Sequence, residues 1–398
     1  MIQVVGIGAA GWASLAEPDQ LLVLGARRVL GGARHLDLLP EVPDQRRIAW
    51  PPDLRRALPD LVAGHETDPV VVLASGDPLL AGVGVTLIEL FGADAVRVHP
   101  QVSSVALAAA RMGWSADSYA VVRLRGADVD LVRRELYDGR RLLVLARDAG
   151  TPAEVAALLG EAGFGDSVLT VLGDLGSPSE SRRDVPASAW TGPAPDLHVL
   201  AVSCLTGPSA AGGSLAPGLP DTAFDHDGQL TKRDVRASAL AHLQPRPGEL
   251  LWDVGAGAGS VAIEWLRSHP TCRAIAVEQQ PPRAKRIAAN AAALGVPGLR
   301  TVLGSAPSAL ERLPAPDAVF VGGGASEETL AACWAALRPG GRLVVHAVTQ
   351  ETEMLLAARW RDHGGELTRI AVEHLEAIGR SHGWKPARAV VQWSVTKR

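Results

Sequence analysis

A glycine-rich turn that follows a buried strand constrains the fold of this chain more than any other feature. The apolar run Leu250–Val254 leads into the sequence Gly-Ala-Gly-Ala-Gly at 255–259, and a helical pattern follows at 261–267. Glycine lets a backbone approach a ligand closely, and a helix N-terminus offers unpaired N–H groups to an anionic group. The pattern therefore predicts an α/β sheet with a ligand bound where its strands end.

An acid at the end of the next strand narrows the class of ligand. The run Ala274–Val277 ends in Glu278, and a carboxylate at that place can accept both hydrogen bonds of a ribose diol. The residues predicted to bind an adenosine-containing cofactor are therefore Gly255, Ala256, Gly257, Ala258, Gly259 and Glu278. A tight strand–helix turn followed by a surface glutamate is the alternative interpretation.

The length of 398 residues predicts two domains. A charge-free Gly/Pro/Ser/Ala segment separates them, so we place the first domain at 1–205, a linker at 206–218 and the second domain at 219–398. Apolar runs alternate with helical patterns on both sides, which predicts two α/β units with largely parallel sheets. The predicted strands are Gln3–Ile7, Val70–Ala74, Ala95–Val98, Ala120–Leu124, Arg141–Ala146 and Leu197–Cys204 in the first domain, and Leu250–Val254, Ala274–Val277, Ala318–Val321, Arg342–Ala347 and Ala389–Val395 in the second.

Composition and charge exclude several classes of function. The net charge is −4 and neither half carries a basic run, which argues against a nucleic-acid partner. The three cysteines form no CxxC pair and the histidines form no metal-spaced cluster, so we expect neither a disulfide framework nor a metal site. The longest charge-free stretch is broken by glycine and proline, and the N-terminus lacks a basic region. We therefore expect no membrane span, no signal peptide and a cytoplasmic location.

The motifs of the second half resemble those of the class I S-adenosylmethionine-dependent methyltransferases. Asp253 precedes the glycine loop, and the segments 304–306 (Gly-Ser-Ala) and 337–342 (Leu-Arg-Pro-Gly-Gly-Arg) follow in the order typical of that class. The resemblance implies a Rossmann-like domain that binds S-adenosylmethionine. A dehydrogenase that binds NAD through the same loop is the minor alternative.

A narrower resemblance covers residues 219–398. The segments 219–221 (Leu-Pro-Asp), 228–233 (Gly-Gln-Leu-Thr-Lys-Arg), 252–264 and 319–323 (Val-Phe-Val-Gly-Gly) together resemble the precorrin C15-methylating, C12-decarboxylating subunits of cobalamin biosynthesis. This likeness implies that Thr231, Gly255 to Gly259, Glu278 and Ala306 line the S-adenosylmethionine site. Taken alone, Thr231 is predicted to be the N-cap of a helix that continues to His242.

The first half resembles the class III tetrapyrrole methyltransferases, and in particular the precorrin C5-methylating subunits. The resemblance rests on four segments, 31–36 (Gly-Gly-Ala-Arg-His-Leu), 75–84 (Ser-Gly-Asp-Pro-Leu-Leu-Ala-Gly-Val-Gly), 100–105 and 111–114. It implies a fold of two α/β subdomains. It also implies a cofactor held by the Gly-Asp-Pro turn and a pair of hydroxyl residues, namely Gly76, Asp77, Ser103 and Ser104.

The first loop departs from the pattern of that family. Gly6, Gly8 and Gly11 match the dinucleotide motif, but the expected acid about twenty residues later is replaced by glycines. The family commonly has Gly-x-Gly-Pro-Gly here, whereas this chain has Ala9 and Ala10, so we predict no cofactor contact from this loop. Nearby, Arg34 and His35 either bind a substrate carboxylate or lie at a solvated helix end.

Cations of the second half are candidates for binding the acetate and propionate groups of a tetrapyrrole. We predict this role for Lys232, Arg236, Arg380 and Lys385, since cations hold carboxylates by charge-assisted hydrogen bonds. The last two belong to a polar, glycine-broken segment at 375–385 that is suited to a lid, although an exposed hairpin without a role is the alternative. No acid–base residue can be assigned from the sequence.

Both halves together resemble the precorrin-6Y (precorrin-6B) C5,15-methyltransferases (decarboxylating), in which a class III domain is fused to a class I domain. The resemblance implies S-adenosylmethionine-dependent methylation of precorrin-6B at C5 and C15 with loss of the C12 acetate carboxylate, a homo-oligomer, and hand-over of product to the next enzyme of the pathway. Two alternatives remain open. The fused enzyme acts on a cobalt-precorrin or another tetrapyrrole, or one half is a catalytically silent docking module.

Overall fold

The structure, a computed structural model, describes residues 1–64, 69–124, 126–207 and 213–398. These residues form two compact units, one comprising Met1–Val129 and Asp138–Ala210 and the other Asp130–Tyr137 and Ala211–Arg398. The predicted linker at 206–218 includes 208–212, which lie outside the described residues. Within the described residues no helix is long and apolar enough to cross a membrane.

The first unit begins with a sheet whose five strands all pair in parallel. Its strand order is β3-β2-β4-β1-β5, and β4 reads Val-Val-Val-Leu-Ala because a central parallel strand is buried on both faces. The elements are β1 (Ile2–Ile7), α1 (Glu17–Gly25), β2 (Arg28–Gly31), α2 (Ala33–Asp37), β3 (Arg46–Ala49), α3 (Leu54–Leu61), β4 (Val70–Ser75), α4 (Val83–Phe91) and β5 (Val96–His99).

The second sheet of this unit is mainly antiparallel, so the prediction of largely parallel sheets is wrong here. Its order is β6-β7-β10-β8-β9, and only β6 and β7 pair in parallel. The connection between β8 and β9 is too short for a crossover helix, and β9 escaped prediction because it is a polar edge strand. The elements are α5 (Ser104–Met112), β6 (Ala120–Arg123), β7 (Arg141–Leu145), α6 (Thr151–Glu161), β8 (Val168–Gly173), β9 (Ser181–Pro186) and β10 (His198–Ser203).

The second unit is built on one seven-stranded sheet in the order β13-β12-β11-β14-β15-β19-β16. Its first five strands are parallel, and β19 pairs antiparallel with both β15 and β16. The elements are α7 (Arg233–Leu243), β11 (Leu250–Val254), α8 (Ser260–Ser268), β12 (Arg273–Glu278), α9 (Pro281–Ala293), β13 (Arg300–Leu303), β14 (Ala318–Val321), α10 (Glu327–Ala336), β15 (Arg342–Ala347), α11 (Gln350–His363), β16 (Glu366–Ile370), β17 (Glu373–Ile378), β18 (Ser381–Pro386) and β19 (Val390–Thr396).

Hydrophobic side chains cover both faces of this sheet and hold the site in place. Leu251 and Phe320 belong to a core on one face, and Trp252 and Val319 belong to a core on the other. Each parallel strand therefore has a fixed register, and the loops at its carboxyl end are anchored by a buried strand. The carboxyl ends of all five parallel strands thus meet along one edge of the sheet.

The segment predicted to be a lid is a two-stranded antiparallel hairpin formed by β17 and β18. Its strand residues are almost all exposed, including the large side chains of Leu375, Ile378 and Trp384. Its two ends connect to β16 and β19, so its base lies near the carboxyl edge of the sheet.

Candidate functional site

A cavity of about 930 Å³ lies at the carboxyl edge of the sheet in the second unit. The loops that follow β11, β12, β13, β14 and β15 contribute to its wall, together with the segment before α7 and the base of the hairpin. Ligands of open α/β sheets bind at this edge, because the strand ends leave a crevice there. A cavity of this volume is within the usual range for a small-molecule or cofactor site.

Gly255, Ala256 and Gly257 of the predicted glycine loop form one wall of the cavity, and the loop admits no side chain at its first position. Ala258 and Gly259, also predicted for the cofactor, are not part of that wall. Gly255 has a φ of 68°, and a Cβ atom there would lie 2.4 Å from the carbonyl oxygen of Gly323. Its N–H and that of Ala256 both donate to the carbonyl of Val277, which fixes the loop against β12. The loop thus leaves backbone surface, rather than side chains, facing a ligand.

Glu278 lies where the ribose-binding acid was predicted. One carboxylate oxygen accepts the N–H of Gly257 at 2.9 Å, and the other accepts the N–H of Gln280 at 2.9 Å. Each carboxylate oxygen has a second lone pair, so Glu278 can still accept two hydrogen bonds from a diol. Ala306, also predicted for the cofactor, lies in the wall of the same cavity.

Asp253 supports the loop from the protein interior. Its Oδ2 accepts the N–H of Ala262 at 3.0 Å, and its Oδ1 accepts no hydrogen bond from the described residues. Burial raises the pKa of Asp253 to about 7, and the nearby charge of Glu278 adds to the effect. Asp253 therefore ties α8 to β11 and carries a carboxyl group that is partly neutral near pH 7.

The segment before α7 contributes Thr231 and Lys232 to the cavity wall. The prediction that Thr231 caps α7 is wrong, because Lys232 occupies the N-cap position and no side chain caps the helix. The backbone carbonyl of Thr231 instead accepts a hydrogen bond from Arg236 at 2.6 Å. Lys232 lies 3.6 Å from a carboxylate oxygen of Asp221 and stays largely exposed.

The structure contradicts the prediction that Arg236 binds substrate. Its side chain is fully buried, and its nitrogens donate to Glu264 at 2.6 Å, to Asp221 at 3.3 Å and to two backbone carbonyls. The guanidinium also lies over the ring of Phe224. Arg236 therefore braces the wall of the cavity from behind, and burial of this kind has no signature in the local sequence.

The two hairpin cations lie outside the cavity wall. Lys385 pairs with Glu376 across the hairpin at 2.9 Å, and Arg380 is at the exposed turn.

Sequence reasoning missed Arg233 and Arg388, which do line the cavity and form no ion pair with the described residues. Arg283 also lines it, but Asp227 engages its guanidinium at 2.8 Å. Only the fold brings these cations together, since Arg233 and Arg388 are far apart in the sequence.

His346 is a further cavity residue that the sequence did not reveal. It lies on β15, and its Nε2 is 3.0 Å from Oε1 of Gln392 on β19. The ring packs edge-on against Phe320, and burial lowers the pKa of His346 to about 4. Its position within the apolar strand run Arg342–Ala347 gives no sign in the sequence that it reaches a cavity.

In the first unit the structure brings the predicted cofactor residues together at the carboxyl edge of the parallel sheet. Gly76 has a φ of 52°, and a Cβ atom there would lie 3.2 Å from Cα of Ser103. The N–H of Gln101 donates to the carbonyl of Gly76, so the turn after β4 is bound to the loop after β5. Ser104 follows as the first residue of α5 and is exposed.

The side chains at this edge also have local structural partners. Asp77 accepts the N–H of Leu79 at 2.8 Å within its own turn, and Ser103 caps α5 by accepting the N–H of Ala106 at 3.0 Å. These bonds account for a Gly-Asp-Pro turn and a serine before a helix without any ligand. Backbone groups of the turn therefore remain the strongest candidates for contacts with a cofactor.

Arg34 and His35 belong to α2, which follows β2 at the same edge. Nε2 of His35 lies 2.9 Å from Arg34 and 3.0 Å from the hydroxyl of Ser75, the residue before Gly76. His35 is therefore buried beside the predicted site, whereas Arg34 is exposed. The loop with Ala9 and Ala10 forms a turn in which Gly11 donates to the carbonyl of Gly8.

The comparison with protein families assigns a class to each half. Residues 1–188 match the tetrapyrrole (corrin/porphyrin) methylases, and residues 222–397 match the precorrin methyltransferase domain. With the glycine loop and the acid at the end of β12, these matches define a methyltransferase made of two different methyltransferase domains. No group of three or more potential metal ligands occurs within the described ranges.

Full-length relatives identify the family. A precorrin-6Y C(5,15)-methyltransferase (decarboxylating) from Sinorhizobium sp is 44% identical over 398 residues, which cover 100% of this chain and 96% of that one. The protein of the same name from Mycobacterium tuberculosis (strain CDC 1551 / Oshkosh) is 43% identical over 403 residues, with both chains fully covered. The crystal structure of the C-terminal domain of precorrin-6Y C5,15-methyltransferase from Rhodobacter capsulatus is 46% identical and covers 46% of this chain and 100% of that one, with a TM-score of 0.45. The chain belongs to the family of precorrin-6Y C(5,15)-methyltransferases (decarboxylating).

Proposed function

We propose that this protein methylates precorrin-6B at C5 and C15 and removes the C12 acetate carboxylate as carbon dioxide, giving precorrin-8X in cobalamin biosynthesis. The first domain (1–205) would methylate C5, and the second (219–398) would methylate C15 and decarboxylate. One observation carries the proposal: a single cavity combines a glycine cradle, an available ribose acceptor and unpaired cations, in a chain that matches decarboxylating methyltransferases along its whole length.

The residues of the second-unit cavity fit S-adenosylmethionine. The loop presents backbone to the cavity because Gly255 packs against the backbone of Gly323, where no Cβ atom would fit, and Glu278 keeps free lone pairs for a ribose diol. The residues proposed to hold the cofactor here are Thr231, Gly255, Ala256, Gly257, Ala258, Gly259, Glu278 and Ala306. When bound, the cofactor supplies an electrophilic methyl group on a positively charged sulfur.

A second cofactor site is proposed at the sheet edge of the first unit. Gly76, Asp77, Ser103 and Ser104 would hold it, mainly through the backbone of the turn that Asp77 stabilises. Arg34 and His35 lie at the same edge and are proposed to bind a substrate carboxylate. This arrangement would give each methyl transfer its own site.

Substrate binding in the second unit is assigned to the cavity cations. Lys232 stays as predicted, while Arg233 and Arg388 take the roles that the sequence gave to Arg236, Arg380 and Lys385. The acetate and propionate groups of a tetrapyrrole are anionic at neutral pH, and charge-assisted hydrogen bonds to such groups contribute about 1.5–3 kcal/mol each. The cavity wall thus combines groups suited to a nucleoside with cations suited to a polycarboxylate.

The reaction requires the protein mainly to position the reacting groups. A bridging carbon of the reduced tetrapyrrole is electron-rich and can attack the methyl group itself, so no strong base is needed. Holding the nucleophilic carbon and the methyl group in line lowers the activation free energy by several kcal/mol. The cavity wall, braced by Arg236 and by the sheet, would provide this alignment.

The test of the substrate assignment uses the full chain with metal-free precorrin-6B and with its cobalt-loaded counterpart. We expect turnover of the metal-free substrate and at least a several-fold rise in KM for Arg388→Gln and Arg233→Gln. Lys385→Gln, on the hairpin, is the matched control and should leave KM unchanged. Preference for the cobalt-loaded substrate, or an equal effect of Lys385→Gln, would contradict the assignment.

We also propose that the chain forms a homo-oligomer through the hairpin. Leu375 and Trp384 lie directly opposite each other on its two strands and are 56% and 67% exposed. Large exposed apolar side chains of this kind are typical of interaction surfaces. Light scattering should show a lower mass for a Leu375→Ser, Trp384→Ser variant than for the wild type.

Hand-over of product to the next enzyme and the cytoplasmic location stay predictions.

A further inference from the structure

His346 forms part of a buried polar chain that begins at the cavity. Its Nε2 contacts the side-chain amide of Gln392, whose other end lies 3.1 Å from Nδ1 of His242 on α7. That Nδ1 is also 2.9 Å from the backbone carbonyl of Ser238. No described residue bonds Nδ1 of His346 itself, although the residue lines the cavity.

This chain determines which nitrogen of His346 carries the proton. Nε2 of His242 lies 3.3 Å from a carboxylate oxygen of Glu366, whereas Nδ1 lies closer, at 2.9 Å, to the Ser238 carbonyl. A carbonyl oxygen can only accept, so on the shorter contact we assign to Nδ1 the proton that is donated to Ser238. The Gln392 atom beside it is then an acceptor, which places the amide oxygen toward His242 and the amide NH₂ toward His346. The two ends of an amide have the same shape, and the hydrogen-bond network decides between them. His346 therefore accepts at Nε2 and carries its proton on Nδ1, the nitrogen that no described residue uses.

His346 is consequently a neutral donor in a cavity that is also lined by cations. Its low pKa, caused by burial, keeps the ring uncharged at neutral pH. Lys232, Arg233 and Arg388 line the same cavity and are charged. The cavity thus offers carboxylates two chemically different kinds of partner.

The two kinds of partner hinder the loss of a carboxylate to different extents. A cation stabilises the carboxylate by more than a neutral donor does, and that stabilisation disappears when carbon dioxide forms. An ion pair would therefore raise the barrier to decarboxylation, because it binds the ground state more tightly than the transition state. A carboxylate that stays on the product carries no such penalty.

We propose that the Nδ1–H group of His346 holds the acetate that the substrate loses, while the cations hold the carboxylates that it keeps. This inference rests on the proposed function. C15 would form a bond to the methyl group as the methyl–sulfur bond of S-adenosylmethionine breaks and S-adenosylhomocysteine leaves, so the macrocycle would gain a positive charge. The bond to the carboxyl carbon then breaks, and its electron pair neutralises that charge as carbon dioxide leaves. The remaining methylene carbon takes up one proton while the macrocycle releases another, which leaves a methyl group.

The experiment measures carbon dioxide released per C15 methyl group gained, with the full chain, S-adenosylmethionine and precorrin-6B. We expect a ratio of one for the wild type and for His346→Asn, which keeps a neutral N–H near the position of Nδ1. For His346→Phe we expect decarboxylation to slow by about tenfold, because the acetate loses the hydrogen bond that positions its carboxylate for cleavage. For His346→Lys we expect methylated product that retains its carboxylate to accumulate.

The controls separate this role from a structural one. His374→Lys adds a charge at an exposed position of the cavity rim and should leave the ratio at one. Calorimetry with S-adenosylhomocysteine should give wild-type affinity for His346→Asn and His346→Phe. The inference is overturned if His346→Phe and His346→Lys keep the ratio at one, or if methylation, decarboxylation and cofactor affinity fall together. A wild-type chain that does not methylate precorrin-6B would overturn the proposed function itself.

Discussion

The two units present their predicted cofactor residues in different ways. In the second unit, Glu278 and the glycine loop line an open cavity, and the acid keeps lone pairs for a ligand. In the first unit, Asp77 and Ser103 lie at the carboxyl edge of a parallel sheet, and each accepts one nearby backbone N–H. We therefore expect side-chain recognition of a ribose in the second unit and mainly backbone contacts with the cofactor in the first.

The largest expected effect separates side chains that face the cavity from those that support its wall. Arg236→Met leaves Glu264 buried without its partner, so we expect a loss of about 3–5 kcal/mol in the free energy of unfolding. Urea denaturation measures it, with Arg369→Met as the control, since that arginine pairs with Glu353 at the surface and should matter by less than about 1 kcal/mol. A rise in KM without loss of stability would instead mean that Arg236 binds the substrate.

The next effect concerns the buried acid behind the loop. The pKa of Asp253 in the folded chain is about 7, above its ordinary value of 3.8, so the folded state holds a proton that the unfolded state has lost. The contribution of Asp253 to stability should therefore be greatest below about pH 4 and fall as the pH rises toward 7, by a few kcal/mol at most. Asp253→Asn should remove this fall, whereas Asp225→Asn, at an exposed acid, should not. An unchanged pH profile in Asp253→Asn would contradict the account.

The sequence predicted features that depend on a local pattern, and it missed those that depend on how distant segments meet in the fold. The glycine loop, Glu278 and the eleven predicted strands follow from local patterns, and the structure has a strand at each of those places. Arg388 and His346 could not be predicted, because β19 and β15 bring them to the cavity from separate parts of the chain. Arg236 was assigned wrongly because a charged residue in the first turn of a helix looks the same in the sequence whether it is buried or exposed.

A smaller effect is expected at the proposed cofactor site of the second unit. Glu278→Gln replaces one acceptor by a donor, so at least one hydrogen bond to a ribose diol is lost. We expect about tenfold weaker binding of S-adenosylhomocysteine at the second unit, equivalent to about 1.4 kcal/mol. Calorimetry on the full chain should show one weakened site and one unchanged site. Equal weakening at both sites would mean that the two units are not independent.

The smallest effects are expected at the proposed cofactor residues of the first unit. Ser103→Ala removes the cap of α5 and should cost about 1 kcal/mol of stability. Ser104→Ala should change stability by less than about 0.5 kcal/mol, because its hydroxyl makes no hydrogen bond with the described residues. If Ser104 contacts the cofactor as proposed, its loss weakens binding at the first unit by several-fold. No change in affinity would confine recognition there to the backbone.

The central claim is that each unit performs its own methyl transfer, with decarboxylation confined to the second. Mass spectrometry of the product from precorrin-6B and S-adenosylmethionine tests it directly in three full-length chains: wild type, Gly255→Val and Gly76→Val. Either valine places a Cβ atom against backbone at a positive φ, which should close the affected site. The account predicts two methyl groups gained and one carbon dioxide lost for the wild type. It predicts only the C5 methyl group for Gly255→Val, and the C15 methyl group with loss of carbon dioxide for Gly76→Val. Loss of carbon dioxide by Gly255→Val, or its absence in Gly76→Val, would contradict this division of labour.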